Sequence, residues 1–168
     1  MKLSHVMKLS FPAVVLGFVA LSLSTTPADA ATATTTFGVT ATVQATCLVS
    51  ATPLAFGTYT GALATSTSAV SVTCTNTTPY NVGLSAGLAT GATVTSRQMT
   101  GPASALLGYA LFSDPARTVN WGQTIGTDTV TGTGNGGAQA ITVYGQATAG
   151  QFVAPGSYTD TITATVTY

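Results

Sequence analysis

The sequence predicts an all-β domain: an antiparallel two-sheet sandwich, best accommodated by an Ig-like Greek key. Three observations carry this. Apolar residues make up 45% of the chain and charged ones only 5%, with Thr, Ser and Gly dominating the rest. Thr-rich strands joined by Gly-rich turns have that composition. Strict apolar/polar alternation marks both ends of the exported portion, the period of a strand with one face on a core. Between them, short apolar runs recur with turn residues separating them, and no 3.6-residue period supports a helix.

The first thirty residues stand apart. Lys2 and Lys8 form a basic start, "LSFPAVVLGFVALSLS" an apolar run, and Ala28 and Ala30 the small residues before a cleavage point, so residues 1–30 read as a signal peptide cut after Ala30. A membrane anchor fits less well. The 15 residues from Leu9 to Leu23 make a helix of about 22 Å, against a hydrocarbon core of about 30 Å. Residues 31–168 then form one domain.

The exported segment opens with "ATATTTFGVTATVQATCLVS". Phe37, Val39, Ala41, Val43, Ala45 and Cys47 share one parity, with Gly, Thr and Gln on the other. Continuous alternation over Phe37–Cys47 predicts a strand of about 36 Å, roughly twice the usual length, suited to two sheets in succession or to two molecules. Next come "SAVSVTCT", with Val70, Val72 and Cys74 on one face; "TTPYNVGLSA", with Tyr80, Val82 and Leu84; "LLGYALFSD", closed by the turn "DPAR"; "TVNWG"; and "QAITVYGQA", with Ile141 and Val143 together. From Tyr158 to Tyr168 the even positions read Tyr, Asp, Ile, Ala, Val, Tyr. That predicts a final strand with an apolar face, whose edge needs a partner or a blunting device.

Charge and chemistry narrow the function classes. Residues 31–168 contain no Lys, Glu or His; their charges are Arg97, Arg117, Asp114, Asp128 and Asp160. No basic patch exists for nucleic acid or for an anionic membrane, and so uncharged a surface points to packing or assembly. Nucleophilic catalysis lacks a neighbouring base, and three scattered Asp make a weak acid–base pair or calcium site. The expectation is therefore no enzyme activity, no cofactor and no metal. "GTGNGG" at 132–137 matches G-x-G-x-x-G, but a strand follows where a dinucleotide site needs a helix, so it reads as a loop or hairpin turn. "NTT" at Asn76 fits a glycosylation sequon, a pattern common by chance in Thr-rich chains. Asp114 and Arg117 are placed to pair across their turn, and Trp121 reads as a core or strand-end anchor. Cys47 and Cys74, the only cysteines, read as one disulfide in an oxidising compartment.

"YALFSDPARTVNWG" (109–122), "GTGNGGAQAITVYGQ" (132–146) and "APGSYTDTITATVTY" (154–168), preceded by the two cysteines, resemble the spore coat U domain family, which includes pilin subunits of archaic chaperone–usher fimbriae. The resemblance covers essentially all of residues 31–168. It implies an incomplete Ig-like sandwich completed by a donor strand from another subunit. A periplasmic chaperone first fills the groove, and at an outer-membrane usher the N-terminal segment of the next subunit replaces it. By this resemblance residues 31–45 are the donor segment, with Phe37, Val39, Ala41 and Val43 as its inserted side chains. Tyr158, Ile162, Ala164, Val166 and Tyr168 form the acceptor groove and chaperone-binding strand, and the Tyr168 carboxylate is held by basic chaperone side chains. The small Ala41 and Ala164 imply a shallow interface. The implied role is a fimbrial subunit for adhesion and biofilm, exported to the cell surface, with like subunits as fibre partners. A secreted coat or matrix protein of the same fold and a carbohydrate-binding sandwich are the alternatives.

Overall fold

Eight strands arise where the alternating segments find neighbours, in a computed structural model that describes residues 28–168. They are β1 (Cys47–Ala51), β2 (Ala64–Cys74), β3 (Pro79–Leu84), β4 (Arg97–Thr100), β5 (Leu106–Phe112), β6 (Val130–Thr133), β7 (Ala138–Ala147) and β8 (Ala164–Thr167). The signal peptide expectation falls mainly on residues 1–27, outside the described residues. Residues 41–168 form one compact unit.

The strands make two antiparallel sheets, one ordered β1-β2-β7-β5-β4 and the other β6-β3-β8. The fold is an all-β sandwich. Its connectivity matches the Ig pattern, in which A, B, E and D form one sheet and C, F and G the other. In that scheme β1, β2, β7 and β5 are A, B, E and D, while β3 and β8 are C and F. Val70, Val72, Leu111 and Val143 from one sheet meet Tyr80, Val82 and Leu84 from the other, and Trp121, bonded to Leu111 and Val82, joins them in a single buried core.

The strands predicted from alternation appear at β2, β3 and β7, and the short apolar run before "DPAR" forms β5. Three expectations are corrected. The segment expected as a strand over Phe37–Cys47 enters a ladder only at Cys47; residues 28–46 are exposed and carry no strand. Alternation sets which way side chains point, but a strand also needs a second backbone to bond with. The terminal strand is shorter than Tyr158–Tyr168: its ladder covers Ala164–Thr167, because Leu84 ends β3 and the upstream residues bond elsewhere. "TVNWG" contributes only a bridge between Asn120 and Phe112. "GTGNGG" is, of the two forms expected, the loop: it carries the chain from β6 in one sheet to β7 in the other. It is tied to the β2–β3 turn by Thr77 N to Gly134 O at 2.8 Å and Gly134 N to Thr78 O at 2.7 Å.

Candidate functional site: the open edge between the sheets

Among the described residues, no strand pairs with the outer edge of β8, which is where an Ig domain carries its G strand. On the other sheet β1 is also an edge, and it runs close to β8 without sharing a ladder. Beyond β1 the chain continues along Ala51–Phe56, while Tyr158–Ala164 leads into β8. Between these two segments the sandwich is open into its core. A cleft of about 390 Å³ lies there, floored by Val70, Leu84, Leu111 and Val143. A wider cleft of about 910 Å³ adjoins it, sharing Leu54, Phe56, Met99 and Tyr158 and reaching Tyr59, Leu107 and Phe152. Phe56 is held edge-on to Tyr109, with ring centroids 6.1 Å apart.

Of the acceptor residues named from the sequence, three line the smaller cleft. Ile162, Ala164 and Val166 are half-buried against the core, and Tyr158, Ile162 and Ala164 line the smaller cleft. Their neighbours Thr161, Thr163, Thr165 and Thr167 face solvent. Hydrogen bonding follows the same parity. Thr159 exchanges bonds with Thr100 at 3.1 and 2.9 Å, and the Thr163 carbonyl accepts from Ser85 N at 3.0 Å. The backbone groups of Asp160 and Ile162 therefore point the other way, toward the open edge. Tyr168 stands apart from this row, with 57% of its surface exposed.

The four side chains named as donors, Phe37, Val39, Ala41 and Val43, are all exposed, the three larger ones by 82 to 86%. Cys47 and Cys74 are directly opposite in the β1–β2 register and joined as a disulfide, with Cα atoms 4.1 Å apart. The bond fastens β1, which leads into the Ala51–Phe56 wall of the opening, to the core strand β2.

Sequence reasoning missed the wall that follows β1. Leu54, Phe56 and Tyr59 belong to "ATPLAFGTYT", whose Leu54–Phe56 spacing was the available signal. It also missed Arg97, which is fully buried. Its guanidinium donates to the carbonyls of Ser85 (2.8 Å), Val94 (2.6 Å), Leu84 (3.0 Å) and Trp121 (2.7 Å). Burial holds its pKa below the usual arginine value, the nearby Tyr109, Asp160 and Asp128 opposing that shift. A lone Arg in "TSRQMTG" carries no sequence sign of this role.

The three aspartates are each bound into loops. Asp114 accepts from the Val119 and Thr118 amides at 2.7 and 2.9 Å, bonds that hold its carboxyl below the usual range. The expected Asp114–Arg117 pair does not form. Arg117 instead donates to the Gly145 and Pro115 carbonyls, both at 3.3 Å, and lies 5.9 Å from the Tyr144 ring centroid. The carboxylate is already taken by the amides of its own turn. Asp128 accepts from Thr124 N at 2.6 Å. Asp160 accepts from the Tyr109 hydroxyl at 2.6 Å and Leu88 N at 2.8 Å.

Residues 33–165 match the model of the Spore Coat Protein U domain. The chain is 37% identical over 159 residues to "Protein U" of Myxococcus xanthus, covering 84% of this chain and 88% of that protein. Among solved structures it is similar to a chain of the CsuC-CsuE chaperone-tip adhesion subunit pre-assembly complex from archaic chaperone-usher Csu pili of Acinetobacter baumannii. That match has a TM-score of 0.57 at 25% identity and covers 76% of this chain. It spans only 41% of the other chain's length.

Proposed function

The chain belongs to the Spore Coat Protein U domain family, and from that membership and the open edge of β8 we propose that it is a structural subunit of a surface pilus. In this reading subunits polymerise by donor-strand complementation. Residues 31–45 of one copy, led by Phe37, Val39, Ala41 and Val43, occupy the vacant strand position beside β8 of the next. There they cover Tyr158, Ile162, Ala164 and Val166, while Tyr168, exposed just past β8, is left to the chaperone. The observation that carries the reading is the cleft running into the core between Ala51–Phe56 and Tyr158–Ala164. Strand addition at such an edge draws affinity from main-chain bonds and specificity from alternate side chains. Burying the exposed Phe37, Val39 and Val43 would contribute about 1.5–3 kcal/mol each before ordering costs.

A periplasmic chaperone holds the edge before assembly and an outer-membrane usher exchanges it for the next subunit, after export under the leader of residues 1–30. Adhesion and biofilm formation are the roles served by the fibre. Membership of a family described as a spore coat domain favours one other deployment, a coat protein of the same fold, which would assemble without an usher.

The test is a chain carrying a second copy of residues 34–45 after Tyr168 through a flexible linker. It should be a monomer by size-exclusion chromatography, melt higher than the native chain and require no chaperone, because the donor becomes intramolecular. An unchanged melting temperature would reject donor-strand completion.

A further inference from the structure

The motif Gly156-Ser157-Tyr158-Thr159-Asp160 precedes β8 and supplies the upper rim of the opening, yet none of it lies in a ladder longer than a single bridge. Each marked residue is seated on a different feature. The Tyr158 ring covers Gly101, where a Cβ would come within 2.3 Å of it, and its hydroxyl donates to Ala154 O at 2.7 Å. Asp160 occupies a core-facing position between Tyr158 and Ile162, on a parity otherwise apolar. It is not a stray charge. Tyr109, on β5 of the opposite sheet, donates to one carboxylate oxygen at 2.6 Å. The amides of Leu88 and Thr161 donate to the other at 2.8 and 2.7 Å. Gly87, with φ +93°, leaves the space the carboxylate fills: a Cβ there would lie 2.0 Å from an Asp160 oxygen.

We propose that Asp160 is the positioning residue of the acceptor edge. Its bonds to Tyr109 and Leu88 hold Tyr158–Thr163 extended along the rim, with Tyr158 and Ile162 facing the cleft, before any partner strand arrives. The energetic argument is local. Outside the β3–β8 ladder this rim has few backbone bonds: the Thr159–Thr100 exchange and the Thr163 bonds to Ser85. Hydrogen bonds to an ionised carboxylate are stronger than neutral ones, and a pre-ordered edge spares an incoming strand the cost of ordering it. Asp160 touches no partner in this account; it acts through the backbone it fixes.

The claim about binding rests on the donor-strand reading above; the claim about the rim does not. Two measurements on the exported full-length chain separate them. In Asp160→Ala, amide hydrogen exchange at Thr159 and Thr163 should accelerate by about tenfold or more, with β2 and β7 unchanged. Affinity for a synthetic peptide of residues 34–45 should fall by a similar factor. Tyr109→Phe, which leaves the carboxylate in place, should shift both readouts in the same direction by less, and it carries the test if Asp160→Ala does not fold. Unchanged exchange at Thr159 and Thr163, or equal acceleration throughout β2 and β7, would overturn the assignment. So would faster rim exchange with undiminished peptide affinity. A native chain that binds no peptide would reject the donor-strand reading, while exchange would still decide whether Asp160 fixes the rim.

Discussion

The guanidinium of Arg97 donates to the main-chain carbonyl of Trp121 at 2.7 Å, at the point where Trp121 fastens the two sheets together. Trp121 N donates to Leu111 O of one sheet at 2.9 Å, and its indole N–H to Val82 O of the other at 2.8 Å. Both residues are fully buried. In place of a carboxylate the cation has four carbonyls, which spreads its charge over backbone dipoles at the end of β3. Arg97 and Trp121 thus tie the two sheets together beside the end of β3, whose last residue, Leu84, also lines the smaller cleft.

Arg97→Met should therefore be among the most destabilising single changes. It leaves carbonyls unpaired at about 1–3 kcal/mol each, so a total loss above about 3 kcal/mol is expected. Urea unfolding of the chain completed by its own appended donor strand measures it. A loss below 1 kcal/mol would mean that water replaces the guanidinium.

Reduction of Cys47–Cys74, or Cys47→Ser with Cys74→Ser, should lower stability by about 3–4 kcal/mol from the closed-loop entropy alone, and should loosen β1 first. Thermal melts with and without reductant give the magnitude. Intact mass of non-reduced periplasmic protein should show both the bond and an N-terminus at Ala31; free thiols or a retained leader would contradict the export reading.

Val39→Asp should yield subunits that fold and bind chaperone but form no fibres. An unpaired carboxylate in an apolar groove costs several kcal/mol, more than one valine returns. Because Val39 is exposed in the single chain, the domain's own melting temperature should not change. Normal fibres in electron micrographs would exclude Val39 from any buried interface.

Stability should fall in alkali. Burial, then the hydrogen bond to Asp160, raises the Tyr109 phenol above its ordinary 10.0. Between that value and the higher folded one the native state retains a proton the unfolded chain has lost. The stabilisation is thus complete below about pH 10 and is lost as pH climbs above it. In Tyr109→Phe this component of the alkaline slope should vanish; an identical pH dependence in both proteins would place the effect elsewhere.

What the sequence determined by itself was local. Period-two alternation placed β2, β3 and β7, because side-chain direction along a strand is set by the backbone at each residue, and an apolar run closed by a turn placed β5. Two cysteines allow one pairing, and the sole tryptophan in a charge-poor chain had its place in the core. The alternation of Ile162, Ala164 and Val166 likewise showed which side chains face inward. Partnership and burial were decided only by tertiary structure. The strict alternation of residues 37–46 produced no strand, since a ladder needs a second backbone that the single chain does not offer there. Nothing in the sequence around Arg97 marked it for burial; β3, β4 and Trp121 arrange four carbonyls around it. Asp114 and Arg117, close enough in sequence to pair, took other partners because nearby amides claimed the carboxylate first. A side chain's direction depends on a few neighbouring residues, whereas its partner depends on segments as distant as Tyr109 and Asp160, which only the folded chain brings together.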